Sequence, residues 1–291
     1  PITFPCGLSM KNQFMLAPMT NSQSHDDGSL SDDEFTWLTK RSRGGFGLTM
    51  TCASHVQRIG RGFPGQLGIF SDALLPGHIR LASAIRSANS LAVIQLHHAG
   101  LRSPGPLINA DPVAPSPHRK SGARALSIEE VETLRDDFIA AAVRSQKAGY
   151  DGVQIHGAHG YIIAQFLSPQ YNQRTDRYGG TLENRSRLLL EIVAGVRAQC
   201  GPQFLLGVRL SPERFGMRLR EVLTLSQKLI DSGQLDFLDL SLWDCFKQPE
   251  EVEERHLSLL DHVLTLERRR VKLTIAGKIH TAADVQTILS A

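Results

Sequence analysis

The chain has 291 residues, 41% of them hydrophobic, which suits one barrel-sized domain or two smaller domains. Its net charge is only +3 and the basic residues are spread along the sequence, which argues against a nucleic-acid partner. No apolar run approaches the roughly 18 residues of a membrane span, no signal peptide is visible, and the four cysteines include no CxxC pair. These features favour a cytoplasmic protein with free thiols. They leave the oligomeric state open, a homo-oligomer included.

Short apolar, β-rich runs alternate with helical stretches. The clearest helix spans 127–148, where Ser127 and Glu130 form a capping box and Gly149 follows the last turn. A second helix is predicted from Thr181, as its N-cap, to about Ala198. This alternation, with buried strands and polar strand ends, predicts a parallel sheet closed into an α/β barrel. Strands are expected near 13–19, 47–53, 91–97, 151–156, 203–210, 235–241 and 272–276.

The pattern gives seven strand–helix units, whereas a TIM (β/α)8 barrel has eight. We therefore expect a single domain over residues 1–291, a TIM barrel whose eighth strand is missing from this chain and would follow Ala291. The segment 102–126 is rich in Pro, Ser and Gly and is long for a βα loop, which is typical of a lid over a site.

Polar residues begin where the fourth of these strands ends. His156, His159 and Tyr161 directly follow the apolar run 153–155. The carboxyl ends of barrel strands are where TIM barrels place their chemistry. One alternative is a metal-dependent hydrolase with His98, His156 and His159 as ligands. The first strand counts against it, because it ends Ala-Pro-Met-Thr rather than His-x-His.

The stretch 156–185 resembles the old yellow enzyme family, FMN-dependent ene-reductases built on a TIM barrel. The family pattern is H-x-x-H-G-Y, then S-P-x-x-N-x-R-x-D-x-Y-G-G, then E-N-R. The glycine pair of the loop is expected to turn the chain through positive φ. The matching positions are His156, His159, Gly160, Tyr161, Ser168, Pro169, Asn172, Arg174, Asp176, Tyr178, Gly179, Gly180, Glu183, Asn184 and Arg185.

The resemblance implies one FMN at the carboxyl mouth of the barrel, with NADH or NADPH as reductant. Pro18 and Met19 would lie along the flavin, and Thr20 would donate a hydrogen bond to its O4. Ala53 would let the flavin edge approach the backbone. Gln95, in a stretch similar to the family's Q-L-x-H-x-G, would pair with the imide edge, since an amide both donates and accepts.

Three further positions complete the implied flavin site. Arg209 would face the part of the flavin that gains negative charge on reduction; its alternative partner is a neighbouring barrel carboxylate. Gly277 and Lys278 follow the seventh strand, where TIM barrels often bind phosphate. Lys278 stands where the family more often has a second glycine, so it is expected to adopt positive φ less freely.

The resemblance also implies the chemistry. His156 and His159 would each donate an N–H to the carbonyl oxygen of an enone, enal or quinone, and so stabilise the charge that grows there. Tyr161 would protonate the carbon next to that carbonyl. His97 and His98 are expected to be structural instead.

Two departures limit what the resemblance carries over. Leu101 occupies the position of a family arginine, and Arg102 comes next. Ser22 stands where some branches place Tyr or Met, so substrate preference is not carried over.

Overall fold

The expected alternation of strands and helices is present in a computed structural model that describes every residue from Pro1 to Ala291. The strands are β1 (Ile2–Thr3), β2 (Ser9–Met10), β3 (Met15–Leu16), β4 (Leu48–His55), β5 (Leu91–His97), β6 (Val113–Ala114), β7 (Arg124–Ala125), β8 (Gly152–Gly157), β9 (Leu205–Leu210), β10 (Phe237–Ser241) and β11 (Lys272–Ala276). The helices are α1 (Asp32–Arg43), α2 (Leu75–Ser87), α3 (Gly105–Ile108), α4 (Ile128–Lys147), α5 (Ile162–Leu167), α6 (Leu182–Cys200), α7 (Leu219–Asp231), α8 (Leu259–Leu264) and α9 (Ala282–Ser290).

The seven predicted strands are confirmed, and they form one parallel sheet in the order β11-β10-β9-β8-β5-β4-β3. The sheet curls so far that its two edge strands line one cavity of about 620 Å³, at Met15 of β3 and Ile275 of β11. This is the incomplete TIM barrel expected from seven strand–helix units. Helices between consecutive strands of the sheet supply the crossover connections that parallel strands require.

An amino-terminal hairpin that the sequence did not predict closes the amino end of the barrel. β1 and β2 pair antiparallel, and the backbone N–H of Cys6 beside them donates to Asp236 at 2.7 Å. The hairpin packs onto a small apolar cluster under the polar layer of the barrel. Its members are Phe4, Met10, Leu48, Met50, Val93, Leu205 and Phe237.

The strand positions above this cluster are polar. Gln95 of β5 lies opposite Gln154 of β8, and two residues on, His156 lies opposite Arg209 of β9. Asp239 of β10 lies opposite Arg209 in turn. Since alternate residues of a strand share a face, apolar side chains fill the barrel's amino end and ionisable ones line its carboxyl end.

The helix ends follow the local sequence. Ser127 and Glu130 form the predicted capping box before α4, and Gly149 beyond its end has φ +83°. Thr181 accepts a hydrogen bond from the backbone of Asn184 at the start of α6, as predicted. None of the helices is both long enough and apolar enough to cross a membrane.

Candidate active site at the carboxyl end of the barrel

Four aromatic rings meet above β5 and β8. The ring centroid of His156 lies 5.1 Å from that of His159 and 5.2 Å from that of Tyr161. His97 lies still closer to Tyr161, at 4.4 Å. The structure therefore brings together the histidine pair and the tyrosine that the sequence placed at this strand end, and it adds a third histidine.

The histidine pair keeps one free nitrogen on each ring. Nδ1 of His156 accepts from the backbone N–H of Ala158 at 3.4 Å, and its Nε2 has no partner in the chain. Nε2 of His159 lies 2.8 Å from the hydroxyl oxygen of Ser241, and its Nδ1 has none. The Tyr161 hydroxyl also makes no hydrogen bond within the protein. Each of the three side chains thus offers a polar atom to a ligand.

Both rings of the pair are neutral near pH 7. Burial, with the charges of Arg209 and Arg102, lowers the pKa of His159 from 6.5 to about 4. Burial, with His159 and His97 nearby, holds the pKa of His156 well below 6.5. A neutral imidazole can donate an N–H to a carbonyl oxygen without giving up a proton.

The backbone of His159 is held in an unusual conformation. Its φ is +60°, which non-glycine residues rarely adopt. Its N–H donates to the hydroxyl of Ser211 at 3.1 Å, and its carbonyl accepts from Arg102 at 2.6 Å. The Arg102 guanidinium carbon also lies 5.0 Å from the Tyr161 ring centroid. Arg102, next to the departure at Leu101, therefore supports the site from outside the barrel.

A buried polar chain crosses the barrel beneath these rings. Gln95 donates from Nε2 to Gln154 at 2.7 Å, and Gln154 donates to Asp239 at 3.0 Å. Nε of Arg209 lies 3.2 Å from Asp239, an ion pair too bent for a hydrogen bond from that nitrogen. Sequence reasoning missed Gln154 and Asp239. The available signal was a polar residue inside an otherwise apolar strand.

Arg209 thus has the carboxylate partner that was its alternative, and it still has donors to spare. Its Nη2 lies 3.4 Å from the Ser241 hydroxyl that also meets His159, so Ser241 joins the two halves of the site. Its Nη1, like the side-chain oxygen of Gln95, has no partner in the chain. A free acceptor and a free guanidinium donor suit the N–H and carbonyl groups along a flavin's imide edge.

The remaining flavin-site candidates on the amino-terminal side lie at the ends of β3 and β4. Pro18 is half-buried, and Met19 and Thr20 are exposed. Thr20 makes no side-chain hydrogen bond in the chain. Ala53 is buried, and its carbonyl accepts from Gln66 at 2.7 Å. These residues leave open surface at the end of β3 and a closely held backbone at the end of β4.

The phosphate candidates follow β11, at the other edge of the sheet. The backbone carbonyl of Gly277 accepts from Cys245 at 3.3 Å. Lys278 adopts positive φ here, at +47°, although it is expected to do so less freely than glycine. Its Nζ lies 3.3 Å from Asp244, and that contact holds the side chain over the loop after β10. The left-handed backbone that a glycine would supply is therefore formed by a lysine.

The metal-hydrolase alternative does not fit this geometry. His98 is buried; its Nδ1 accepts from the backbone N–H of Gly100 at 3.0 Å, and its Nε2 has no hydrogen-bond partner. Its ring does not converge with those of His156 and His159. The one group of three metal-ligand side chains that does converge lies after β10, at Glu254, His256 and His262.

His97 was expected to be structural, but only one of its nitrogens is satisfied. Nδ1 lies 3.0 Å from Nε2 of Gln66. Nε2 is buried without a partner beside Tyr161. Gln66 carried no recognised signal in the sequence.

The rest of the matched pattern, the loop 168–180, is closed on itself and on its neighbours. The Asn172 amide donates to the carbonyls of Phe166 and Tyr178, both at 2.7 Å. The two glycines of the pair are needed for different reasons. Gly180 has φ +83°, whereas a Cβ on Gly179 would collide with Arg174. The prediction of a positive-φ turn is therefore confirmed at the second glycine only.

Arg174 fastens the loop to the long segment that precedes α4. Its Nη1 donates to the carbonyls of Pro115 and Leu126, at 2.9 and 2.6 Å. Its Nη2 pairs with Asp176 at 2.6 Å. The segment 102–126 is therefore anchored at its carboxyl end, next to β6 and β7, rather than hanging free over the mouth.

Comparison with known proteins identifies a family and several relatives that this chain resembles. The model of the NADH:flavin oxidoreductase / NADH oxidase family matches residues 1–255. The probable NADH-dependent flavin oxidoreductase YqiG of Bacillus subtilis is 38% identical over 99% of this chain and 80% of that protein. The NADH:acrylate oxidoreductase of Vibrio harveyi is 33% identical over 95% of this chain but only 29% of that protein. The structure of the old yellow enzyme homologue from Zymomonas mobilis matches 100% of this chain and 84% of that chain, with a TM-score of 0.86 and 30% identity.

Proposed function

This chain belongs to the NADH:flavin oxidoreductase / NADH oxidase family, and from that premise we propose that it is an FMN-dependent reductase of α,β-unsaturated carbonyl compounds. Flavin oxidoreduction with NADH or NADPH follows from the family. The FMN, its single binding domain over residues 1–291 and the C=C bond as target are the further steps. The acrylate relative supports the last of these, because acrylate carries a C=C bond next to its carboxylate.

The observation that carries the proposal is the pair of neutral histidines, each with one unpaired nitrogen, at the strand end. Two N–H groups preset around one oxygen can stabilise the negative charge that grows on a carbonyl as the C=C bond accepts a hydride. They sit in a largely buried site, where such bonds are stronger than in water. His156 and His159 are therefore assigned to bind the substrate carbonyl of an enone, enal or quinone.

Tyr161 is assigned as the proton donor. Its ring packs against His156, and its hydroxyl is free. Reducing a C=C bond requires a proton on the carbon next to the carbonyl, whereas a quinone is reduced without protonation at carbon. A positioned phenol can supply that proton.

FMN, when bound, supplies the hydride at its N5 atom after taking it from the nicotinamide. The protein's part is to hold the ring and the phosphate and to keep water from the reacting carbon. The unpaired Gln95 oxygen and Arg209 Nη1 fit this group, as argued above. The residues assigned to hold FMN are Pro18, Met19, Thr20, Ala53, Gln95, Arg209, Gly277 and Lys278.

We propose a cytoplasmic location, and the thiols support it. All four cysteines are free, and burial raises the pKa of those in the core, such as Cys52, above the usual 9.0. Unpaired, unreactive cysteines fit a reducing cytoplasm. The partners proposed are small molecules rather than nucleic acid or membrane.

An absorption spectrum of the protein at its natural length tests the cofactor. We expect yellow protein that releases FMN on denaturation and is bleached without oxygen by NADH or NADPH. Comparing the two nicotinamides shows which one is the reductant. Colourless protein that cannot be reconstituted with FMN would contradict the flavin assignment.

Titration with a para-substituted phenol tests the histidine pair. The phenolate should bind over the oxidised flavin and give a long-wavelength charge-transfer band. Replacing both His156 and His159 by Ala should abolish the band and weaken binding about a hundredfold or more, since each of the two lost bonds to a charged group is worth ~1.5–3 kcal/mol. FMN should stay bound.

The matched control for the phenol titration is His256→Ala, because the His256 ring is exposed and lies in the loop before α8. This control should keep the full band. A double variant of the pair that keeps both the band and its affinity would show that the pair is structural.

A further inference from the structure

Gln66 is fixed in orientation by backbone groups. Its Oε1 accepts from the N–H of Gly62 at 2.7 Å, and its Nε2 donates to the carbonyl of Ala53 at 2.7 Å. A backbone N–H can only donate and a carbonyl can only accept, so the two ends of the amide cannot be exchanged. The second hydrogen on Nε2 then points to Nδ1 of His97, 3.0 Å away.

This contact sets the tautomer of His97. Nδ1 must accept from Gln66, so it carries no proton. Burial, followed by the neighbouring His98 and His55, lowers the pKa of His97 well below 6.5, so the ring is neutral. A neutral imidazole with a bare Nδ1 carries its proton on Nε2. His97 therefore presents an N–H donor at its far edge.

That donor has no oxygen or nitrogen acceptor. Nε2 of His97 is buried and makes no hydrogen bond. The nearest ring is that of Tyr161, with centroids 4.4 Å apart and planes at 79°. The ring of His156 is farther, at 5.5 Å and 36°. The face of a phenol ring carries partial negative charge and accepts N–H groups weakly, in this perpendicular arrangement.

We propose that Gln66 and His97 are positioning residues for Tyr161. Gln66 holds His97 in the Nε2–H form, and that N–H holds the face of the Tyr161 ring. Arg102, whose guanidinium carbon lies 5.0 Å from the centroid of the same ring, is a cationic neighbour of that ring. The chemical consequence rests on the proposed function, in which Tyr161 delivers a proton. The tautomer of His97 and its contact with the Tyr161 ring do not depend on the proposed function.

Nitrogen NMR of the purified flavin-loaded protein, with ¹⁵N-labelled histidine, tests the tautomer and the contact. His97 should carry its proton on Nε2, and that proton should resonate upfield because it lies over an aromatic ring. Tyr161→Leu removes the ring and should move the proton downfield. Tyr161→Phe keeps the ring and should leave it in place. A His97 proton on Nδ1 overturns the proposal, and so does an Nε2 proton whose chemical shift does not change in Tyr161→Leu.

Gln66→Glu is the second variant, and it leaves His97 itself intact. A carboxylate cannot donate to Nδ1, so it should draw the proton onto that nitrogen, visible in the same spectrum. His97→Phe, or His97→Gln if the former does not fold, assigns the signals. A Gln66→Glu protein whose His97 keeps the Nε2–H form shows that Gln66 does not set the tautomer.

Kinetics separate this inference from the proposed function. Gln66→Glu should slow cyclohexenone reduction about tenfold or more, as expected when a reacting group is displaced, and leave quinone reduction within about twofold. Equal loss with both acceptors overturns the positioning role. If Tyr161→Phe itself leaves enone reduction intact, the proton assignment fails, while the NMR result still decides the Gln66–His97–Tyr161 contact.

Discussion

Two neighbouring segments carry the family pattern, and they use their polar groups in opposite ways. In the segment 156–161, the two histidines and the tyrosine each keep a polar atom without a partner in the chain. In the loop 168–180, the polar side chains of the pattern are hydrogen-bonded to other groups of the protein. The amide of Asn172 bonds two carbonyls, Arg174 bonds two more and a carboxylate, and the Tyr178 hydroxyl donates to Glu191 at 2.9 Å.

This contrast teaches how to divide a matched motif. A pattern match identifies residues that a family shares, but not whether they hold the chain or the ligand. Counting partners separates the two, because buried polar groups that serve the fold are satisfied within it. We therefore expect changes in the loop to cost stability and changes in the 156–161 segment to cost chemistry.

The largest expected effect is a fall in the free energy of unfolding in acid. The buried histidines, including those of the segment 156–161, should titrate at higher pH than the loop 168–180. A folded-state pKa below 6.5 means that the unfolded chain binds more protons, so stability falls as pH drops from about 6.5 toward 4. Each such histidine contributes about 1.4 kcal/mol per pH unit over that window. The pKa is about 4 for His55, His78 and His159, about 3 for His98, and well below 6.5 for His97 and His156.

The loop responds at lower pH. Burial raises the pKa of the Asp176 carboxyl, but the bonds from Arg174 and the Tyr178 backbone prevail and lower it below 3.8. Its contribution is present above the unfolded value and is lost only as pH falls through the folded one. Denaturant unfolding at pH 8, 6.5 and 5.5 measures the profile. A flat profile would contradict buried neutral histidines, and exposed His256→Ala should leave the slope unchanged.

Tyr161→Phe is the next largest expected effect, and it should alter chemistry alone. The ring and its packing remain, so FMN binding and reduction by the nicotinamide should survive. Loss of a general acid typically costs ~10²–10⁴-fold, and we expect a drop of that order with cyclohexenone. Quinone reduction should be nearly unchanged. Equal loss with both acceptors would assign Tyr161 to packing, and no loss with either would assign the proton to another group.

Arg174→Ala should lower the stability of the protein and leave its chemistry unchanged. The variant removes the Arg174 donor from two carbonyls and from Asp176, in a place where the Arg174 side chain is only 8% exposed. We expect a loss of about 3 kcal/mol in the free energy of unfolding. Protein that remains folded at low temperature should keep its ratio of enone to quinone reduction.

Arg124→Ala is the matched control for the loop. Arg124 also pairs with a carboxylate, Glu130, but that pair is exposed, with side chains at 49% and 41%. Its loss should cost no more than about 1 kcal/mol, since exposed ion pairs are screened by solvent. Similar losses for the two arginines would contradict the division between a closed loop and an open surface.

Much of the fold could be predicted from the sequence because its determinants are local. Seven apolar runs bounded by turns and caps marked the seven strands of the sheet within a few residues. Ser127 and Glu130 set the start of α4 through a capping box whose two partners are three positions apart. The hairpin of β1 and β2 was missed, since two-residue strands carry almost no pattern of their own.

The sequence by itself determined the barrel, the family pattern and the placement of His156, His159 and Tyr161 at one strand end. Only the tertiary structure decided their surroundings. Gln66 meets His97 across 31 residues, and Gln154 meets Asp239 across 85. Strand register and loop closure, rather than neighbouring residues, bring such partners together. The same distant contacts decide which nitrogen of each buried histidine is free, and so which side chains can act on a ligand.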